Sequence, residues 1–299
     1  MTKCAAFWKH TNIRGDNRIF PCCRFKRPVA VFDTSISNIL ESDVYEKLRQ
    51  SDVSKMPECA KCMHEEANGR KSLRQEFNEQ YDTDTVELKF LEIGFDNICN
   101  LTCDGCNSEF SSAWAKKETG KLSYTEIDEV TDVPDTIEKI LFLGGEPLMT
   151  NRHRKFLELV KDPSRVDVVY NTNGTFLIED IALLRKFNSV KFILSIDGYK
   201  DLNDRVRSGS SWSDVTRFIE QVEMLDFNLE INTVLHLNNW QGIKELEEYV
   251  RALDCKWTVN VLTYPKHLDI ANYKDKNEIV DLIKQTSIPN KDYVINHLS

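Results

Sequence analysis

From about residue 86 the chain alternates apolar runs with amphipathic stretches, and this alternation narrows the possible folds more than any other feature. The runs are LKFLEIGF (88–95), KILFLG (139–144), DVVYNT (167–172), KFILSI (191–196), LEINTVL (229–235) and KWTVNVL (256–262). Each is short and rich in β-branched and aromatic residues, and reads as a strand. Segments at about 108–118, 151–161, 178–187, 212–225, 241–252 and 276–286 carry apolar residues at helical spacing, as in IEDIALLRKF. Six strands with intervening helices predict an α/β fold with a parallel sheet and right-handed crossovers. Functional residues are then expected in loops at the carboxyl ends of the strands.

Residues 1–85 follow a different pattern. Eight of the nine cysteines, at 4, 22, 23, 59, 62, 99, 103, 106 and 255, lie within the first 106 residues. RIFPCCRF and AVFDT suggest short strands. ILESDVYEKLRQSD has helical spacing at Ile39, Leu40, Val44 and Leu48. MPECAKC reads as a metal-binding turn leading into a helix. A module this small is marginal unless a metal or a larger body supports it.

The formal net charge of −9 argues against a broad cationic surface, so nucleic acid is not an expected partner. No apolar stretch approaches the roughly 20 residues of a membrane span. The opening MTKCAAFWKHTNIRGD does not read as a signal peptide. A cytoplasmic protein is expected, and disulfides are disfavoured there. The close-spaced cysteines therefore read as ligand sets, and Cys255 as a buried small hydrophobe.

The sharpest set is CNLTCDGC, with Cys99, Cys103 and Cys106 directly after the first strand of the alternation. Gly105 and Asn100 favour a tight loop in which three thiolates converge. Three soft ligands suit iron–sulfur or zinc. A tetrahedral zinc wants a fourth ligand, for which only Asp104 is near in sequence. The Cys-x3-Cys-x2-Cys pattern resembles that of the radical S-adenosylmethionine (SAM) superfamily. The resemblance implies a partial (β/α)6 barrel and a [4Fe–4S] cluster held by these three cysteines. Its open iron would chelate SAM, and reductive cleavage would yield a 5′-deoxyadenosyl radical. It also implies a reductant such as flavodoxin or ferredoxin.

More of the family's pattern follows in order. LFLGGEP resembles the glycine-rich motif after the second strand. It implies that Gly144, Gly145, Glu146 and Pro147 lie at SAM, the glycines by allowing close backbone approach and Glu146 by meeting the methionine ammonium. Read plainly, GGEP is a strand-ending turn. YNTNGTF places Asn173 near SAM, although Asn-Gly turns are common. ILSIDGYK offers Ser195 and Asp197 for the SAM ribose and the substrate side. Arg207 is a candidate for the SAM carboxylate or a nearby acid, with a surface ion pair as the plain alternative. Asn232, on the fifth strand, stands where polar residues of the family touch SAM. One departure is Gly105, where many members carry an aromatic residue beside the adenine; stacking must then come from elsewhere or be weaker. The resemblance covers 86–265 as the core and leaves 266–299 as a helical tail.

The first 85 residues resemble the twitch form of the SPASM auxiliary-cluster module, here ahead of the core. CAKCMHEEANGRKSLR fits a group in which PCC and CxxC...E...G...S.R precede the barrel. Asn17 stands where a glycine is often found, and asparagine tolerates the same left-handed turn. The implied ligands of an auxiliary [4Fe–4S] cluster are Cys4, Cys22, Cys59 and Cys62. Cys23 is the alternative to Cys22, because strand neighbours face opposite ways. A zinc staple with the same cysteines is the competing reading, and His64 is a minor candidate ligand.

The expected function is radical modification of a substrate, with a peptide or protein expected over a nucleic acid and a small molecule left open. The alternatives are radical modification of a nucleotide or sugar, and a zinc- or cluster-stabilised binding protein without turnover. The ordered polar residues at the strand ends would be surplus in a pure scaffold.

Overall fold

The computed structural model describes residues 2–33 and 35–298. Its strands are β1 (His10–Ile13), β2 (Arg18–Phe20), β3 (Ala30–Val31), β4 (Phe90–Gly94), β5 (Thr102–Cys103), β6 (Lys139–Leu143), β7 (Asp167–Thr172), β8 (Ser189–Ser195), β9 (Arg207–Ser208), β10 (Asn228–Leu235) and β11 (Lys256–Val261). Nine form one sheet in the order β11-β10-β8-β7-β6-β4-β1-β2-β3, while β5 and β9 make a separate two-residue ribbon. Every pairing from β11 to β1 is parallel. Strands β2 and β3 finish the edge antiparallel.

The six expected strands form within two residues of their predicted ends, because each has one face to bury. In β8, Val190, Phe192 and Leu194 are buried while the residues between them are half-buried. Phe192 stacks on Tyr170 at 5.1 Å and meets the edge of Phe218 from the helix Trp212–Met224 at 5.4 Å. Aromatic packing of this kind fixes the helices on one face of the sheet. The helices Ser112–Thr119, Arg152–Leu157, Ile181–Leu184, Ile243–Ala252 and Lys276–Lys284 fall inside the other predicted segments, give or take a residue. The segment 151–161 is shorter than expected, with its helix ending at Leu157 and a separate turn opening at Pro163. The tail holds two helices, Lys276–Lys284 and Lys291–Leu298.

Strand β1 was not foreseen. It pairs with β4 over four residues, His10 with Phe90 through Ile13 with Ile93, and adds a seventh parallel strand. All four of its residues are buried. Its sequence, HTNI, has no apolar run to announce a strand. The polar side chains find partners inside the fold: His10 Nδ1 lies 2.8 Å from Pro21 O, Thr11 Oγ1 2.8 Å from Tyr45 Oη, and Asn12 Nδ2 donates to Glu92, while Asn12 Oδ1 and His10 Nε2 have no hydrogen-bond partner among the described residues. Phe7, Phe20, Phe25, Phe32 and Tyr45 from the first 85 residues join the same hydrophobic cluster as the barrel strands. The support that a small module needs is therefore supplied by packing onto β4. No helix among the described residues is long and apolar enough to cross a membrane.

Candidate functional site

A cavity of about 420 Å³ opens at the carboxyl ends of the parallel strands. Gly94, Leu143, Asn171, Ser195 and Val234 line it, one from each of five strands. Their neighbours Ile93, Phe142, Leu194 and Leu235 are buried and do not line it. The period of two along a strand puts the cavity on the face opposite the helices.

Cys99, Cys103 and Cys106 all line this cavity. Their loop is held by the chain on three sides. Ribbon β5–β9 pairs Cys103 with Arg207, Trp114 Nε1 donates to Cys103 O at 2.9 Å, and Ser112 Oγ accepts from Cys99 N at 3.1 Å. Burial pushes all three thiols up, Cys106 to about 11, while the Arg207 guanidinium pulls each down.

Gly144 and Gly145 also line the cavity, but what approaches them closely is backbone. A Cβ on Gly145 would stand 2.1 Å from Ile98 O, and one on Gly144, where φ is +124°, would stand 2.6 Å from Asp96 O. Gly145 N donates to Asp96 O at 3.1 Å and Glu146 N to Ile98 O at 2.7 Å. The glycine turn is thus stitched to the residues just before Cys99.

Glu146, expected at the methionine ammonium, bonds within the fold. It is 1% exposed and is absent from the cavity wall. Its oxygens accept from Thr172 Oγ1 at 2.7 Å, Asn173 N at 2.7 Å and Leu148 N at 3.1 Å. Burial raises its pKa despite these donors. Glu146 ties the glycine turn to the end of β7. Pro147 is buried at the start of the turn Pro147–Met149, away from the cavity. Asn232 likewise does not line it, and its Oδ1 accepts from Asn260 Nδ2 at 2.9 Å.

Asn173, Ser195, Asp197 and Arg207 do come together on the wall. Asn173 Nδ2 donates to Asn100 Oδ1 at 3.0 Å, which joins β7 to the cysteine loop. Arg207 Nη1 meets Asp197 Oδ2 at 2.6 Å, and Asp197 Oδ1 accepts from Val234 N at 2.7 Å. Of the two roles open to Arg207, the nearby acid is the one the geometry supplies. Burial alone would lower the Arg207 pKa, but Cys103 and Asp197 raise it on balance. His236 and Leu262 line the cavity and were missed. Their place just beyond the ends of β10 and β11 was the signal that could have found them.

Cys4, Cys22, Cys59 and Cys62 line a second, smaller cavity, flanked by Arg24 and Arg74. Cys23 lines the large cavity instead. Burial pushes Cys4 and Cys22 up to about 12 and Cys59 to about 11. Arg24 Nη1 lies 3.3 Å from Cys62 Sγ. The E...G...S.R pattern has a structural meaning here. Gly69 turns the chain at φ +69°, Ser72 caps the helix Leu73–Gln80, and Arg74 returns to bind Glu66 beside the cysteines. Asn17 adopts φ +62°, the left-handed turn expected of it. His64 is exposed and lies off this cavity, and Cys255 is half-buried rather than buried.

A four-iron cluster takes its thiolates at separate irons, so its cysteines must share a cavity wall. Both cysteine sets do, and the arginines beside each offset the negative charge of a thiolate-bound cluster. The residues present fit iron–sulfur groups.

Residues 94–250 match the radical SAM superfamily, and residues 4–63 match an iron–sulfur cluster-binding domain. Among curated proteins, the GTP 3′,8-cyclase of Campylobacter lari is 26% identical over 205 residues, 66% of this chain and 63% of that protein. The GTP 3′,8-cyclase of Clostridium acetobutylicum is 29% identical over 167 residues, 54% of this chain and 50% of that protein. The chain thus spans half to 63% of the length of these two relatives. Among solved structures, anSMEcpe with bound AdoMet aligns with a TM-score of 0.49 at 18% identity, covering 66% of this chain and 56% of that one. Streptococcus suis SuiB bound to precursor peptide SuiA aligns with a TM-score of 0.46 at 15% identity, covering 76% and 60%. The family match spans more than half of the 299 residues. The chain belongs to the radical SAM superfamily, as an enzyme of [4Fe–4S] cluster and SAM that carries an auxiliary iron–sulfur domain ahead of its core.

Proposed function

We propose that Cys99, Cys103 and Cys106 hold the SAM-binding cluster and that the enzyme modifies a peptide or protein by hydrogen-atom abstraction. When bound and reduced, the cluster with SAM supplies a 5′-deoxyadenosyl radical. The observation that carries the assignment is one cavity at the strand ends that brings together these three thiols, the glycine turn, Asn173, Ser195, Asp197 and Arg207. In this reading Gly144 and Gly145 hold the cysteine loop in register, Glu146 ties that turn to β7, and Asp197 orients Arg207 beside the thiolates. Leu262 and Val234 offer the adenine an apolar wall.

Cys4, Cys22, Cys59 and Cys62 are the proposed ligands of the auxiliary cluster, a [4Fe–4S] centre in this reading. Four ligands leave no iron open, which suits electron transfer or structural support. The proposed division is an auxiliary module at 1–85, a core at 86–265 and a helical tail at 266–299. A flavodoxin or ferredoxin is the proposed reductant, in the cytoplasm.

The net charge of −9 disfavours a polyanion, which supports the peptide reading over a nucleic acid. Radical modification of a nucleotide is the second reading, favoured by the relatives named GTP 3′,8-cyclase. Reduced enzyme with unlabelled SAM and deuterated candidate substrates tests both. Deuterium in 5′-deoxyadenosine from a peptide is the expected result. Transfer from a nucleotide or sugar pool, with none from peptides, would overturn the peptide reading.

A further inference from the structure

Strand β1 gives the large cavity an end that none of the SAM-side residues occupies. In the sheet, β1 lies beyond β4, separated by β6 and β7 from the strands that carry Ser195 and Val234. Asn12 and Arg14 are two residues apart and both line the cavity.

Asn12 is 3% exposed, and its Oδ1 is buried with no partner among the described residues. The orientation of the amide is fixed by its neighbour. Burial works to raise the Glu92 pKa, but His10 and then Asn12 more than offset it, so Glu92 is held ionised. A carboxylate accepts only, so the Asn12 amide must turn its NH2 toward Glu92 and its oxygen away. The result is a buried acceptor without a donor among the described residues.

Arg14 is the more accessible of the two, with its side chain 28% exposed. Its guanidinium stacks 3.8 Å over the Phe20 ring. Its nearest acid among the described residues is Glu109 at 3.8 Å, beyond hydrogen-bond length, and that carboxylate is bonded to Arg18. Burial and then the neighbouring Arg18 lower the Arg14 pKa, as for a cation short of counter-charge.

We propose that Arg14 forms a substrate subsite that takes an oxyanion, a carboxylate or a phosphate, at the end of the cavity that Asn12 also lines. A planar guanidinium with free donors matches either oxyanion bidentately. The subsite rests on the reading of this cavity as the place of catalysis, and it names the chemistry of the substrate there.

The test uses anaerobic holoenzyme with both clusters, saturated with SAM, in titration calorimetry. The probes are N-acetylglycine, its neutral amide N-acetylglycinamide, and inorganic phosphate. At least one anion is expected to bind, and the neutral amide not to. Arg14→Gln should weaken the anion about tenfold or more, with iron content unchanged, and Arg14→Lys should weaken it less. Glu109→Gln should tighten it several-fold, because the competing acid is gone; loss of a merely structural contact would not do this. Equal anion binding by wild type and Arg14→Gln, equal binding of the neutral amide, or no anion binding by wild type would each overturn the subsite. Tighter N-acetylglycine indicates a carboxylate source and tighter phosphate a nucleotide source, and both support the subsite. Failure of the catalytic reading would show separately, as no 5′-deoxyadenosine from the reduced wild-type enzyme.

Discussion

The two cysteine sites are built in opposite ways. At the core site, three thiols come from one loop of eight residues and stand on the wall of an open cavity of about 420 Å³. At the amino-terminal site, four thiols come from three separated segments and face a smaller cavity shared with Phe7, Phe25 and Phe77. The first is braced from outside, by the glycine turn, the β5–β9 ribbon and Trp114. The second is closed over by Arg24 and Arg74, each paired to a glutamate. Openness and a missing fourth thiol leave room for a ligand at the core. Closure and four thiols favour a group that stays out of contact with substrate.

The largest effect should come from removing the core set. Replacing Cys99, Cys103 and Cys106 together with alanine is expected to abolish SAM cleavage and take iron from about eight to about four per chain. Iron analysis and 5′-deoxyadenosine after dithionite reduction measure both. Undiminished cleavage would break the contrast between the sites.

Bracing is tested next, without touching a thiol. An alanine Cβ at position 145 would press on Ile98 O at 2.1 Å, one residue before Cys99. The clash is with backbone and cannot be relieved by a rotamer change, so the cysteine loop must move. A shift of about 1 Å in a reacting group costs about a hundredfold. Gly145→Ala should therefore lose about a hundredfold in SAM cleavage while the amino-terminal cluster remains. Cleavage at the wild-type rate would show that the loop does not depend on the turn.

A pair of serine variants sharpens the amino-terminal half of the comparison. Cys22 and Cys23 are adjacent but serve different cavities. Cys22→Ser is expected to lose about four irons and Cys23→Ser none. Mössbauer spectra of the two proteins decide it, and the opposite result would exchange their assignments.

What the sequence showed and what it hid follow one physical rule. The six core strands were legible because each has an apolar face, as Val190, Phe192 and Leu194 do in β8. Strand β1 was not, because its buried His10, Thr11 and Asn12 bond to Pro21, Tyr45 and Glu92, none nearer than 11 residues in sequence. Hydropathy carries no trace of such pairings. The thiols of each set were found from local spacing, and the structure puts each set on one cavity wall. The partners of polar residues were harder. Gly144 and Gly145 line the cavity, but sequence does not say that their close neighbour is the backbone of Asp96 to Ile98. Glu146 was read as facing SAM because its carboxylate ends a ligand-binding motif. The donors that occupy it, at Thr172 and Asn173, lie 26 and 27 residues away.

The smallest effect concerns the missing aromatic beside Cys106. Glycine at 105 left open what would flank the adenine. A Cβ built on Gly105 would meet Leu262 Cδ1 at 3.1 Å, so Leu262 already fills the space that a side chain at 105 would enter. Leu262 also lines the cavity, just past the end of β11. An apolar wall supplied from the far strand can therefore replace one supplied by the cysteine loop. Removing it should cost the burial of part of one leucine face, about 1 kcal/mol, or about fivefold in SAM affinity. Leu262→Ala is expected to weaken SAM binding by that amount with iron content unchanged, and calorimetry on the holoenzyme measures it. Leu262→Ala combined with Gly105→Phe should recover part of the loss, because the ring then has the vacated space. If Leu262→Ala left SAM affinity unaltered, the adenine would lie elsewhere on the wall, and the core site would be open on a side where the geometry now closes it.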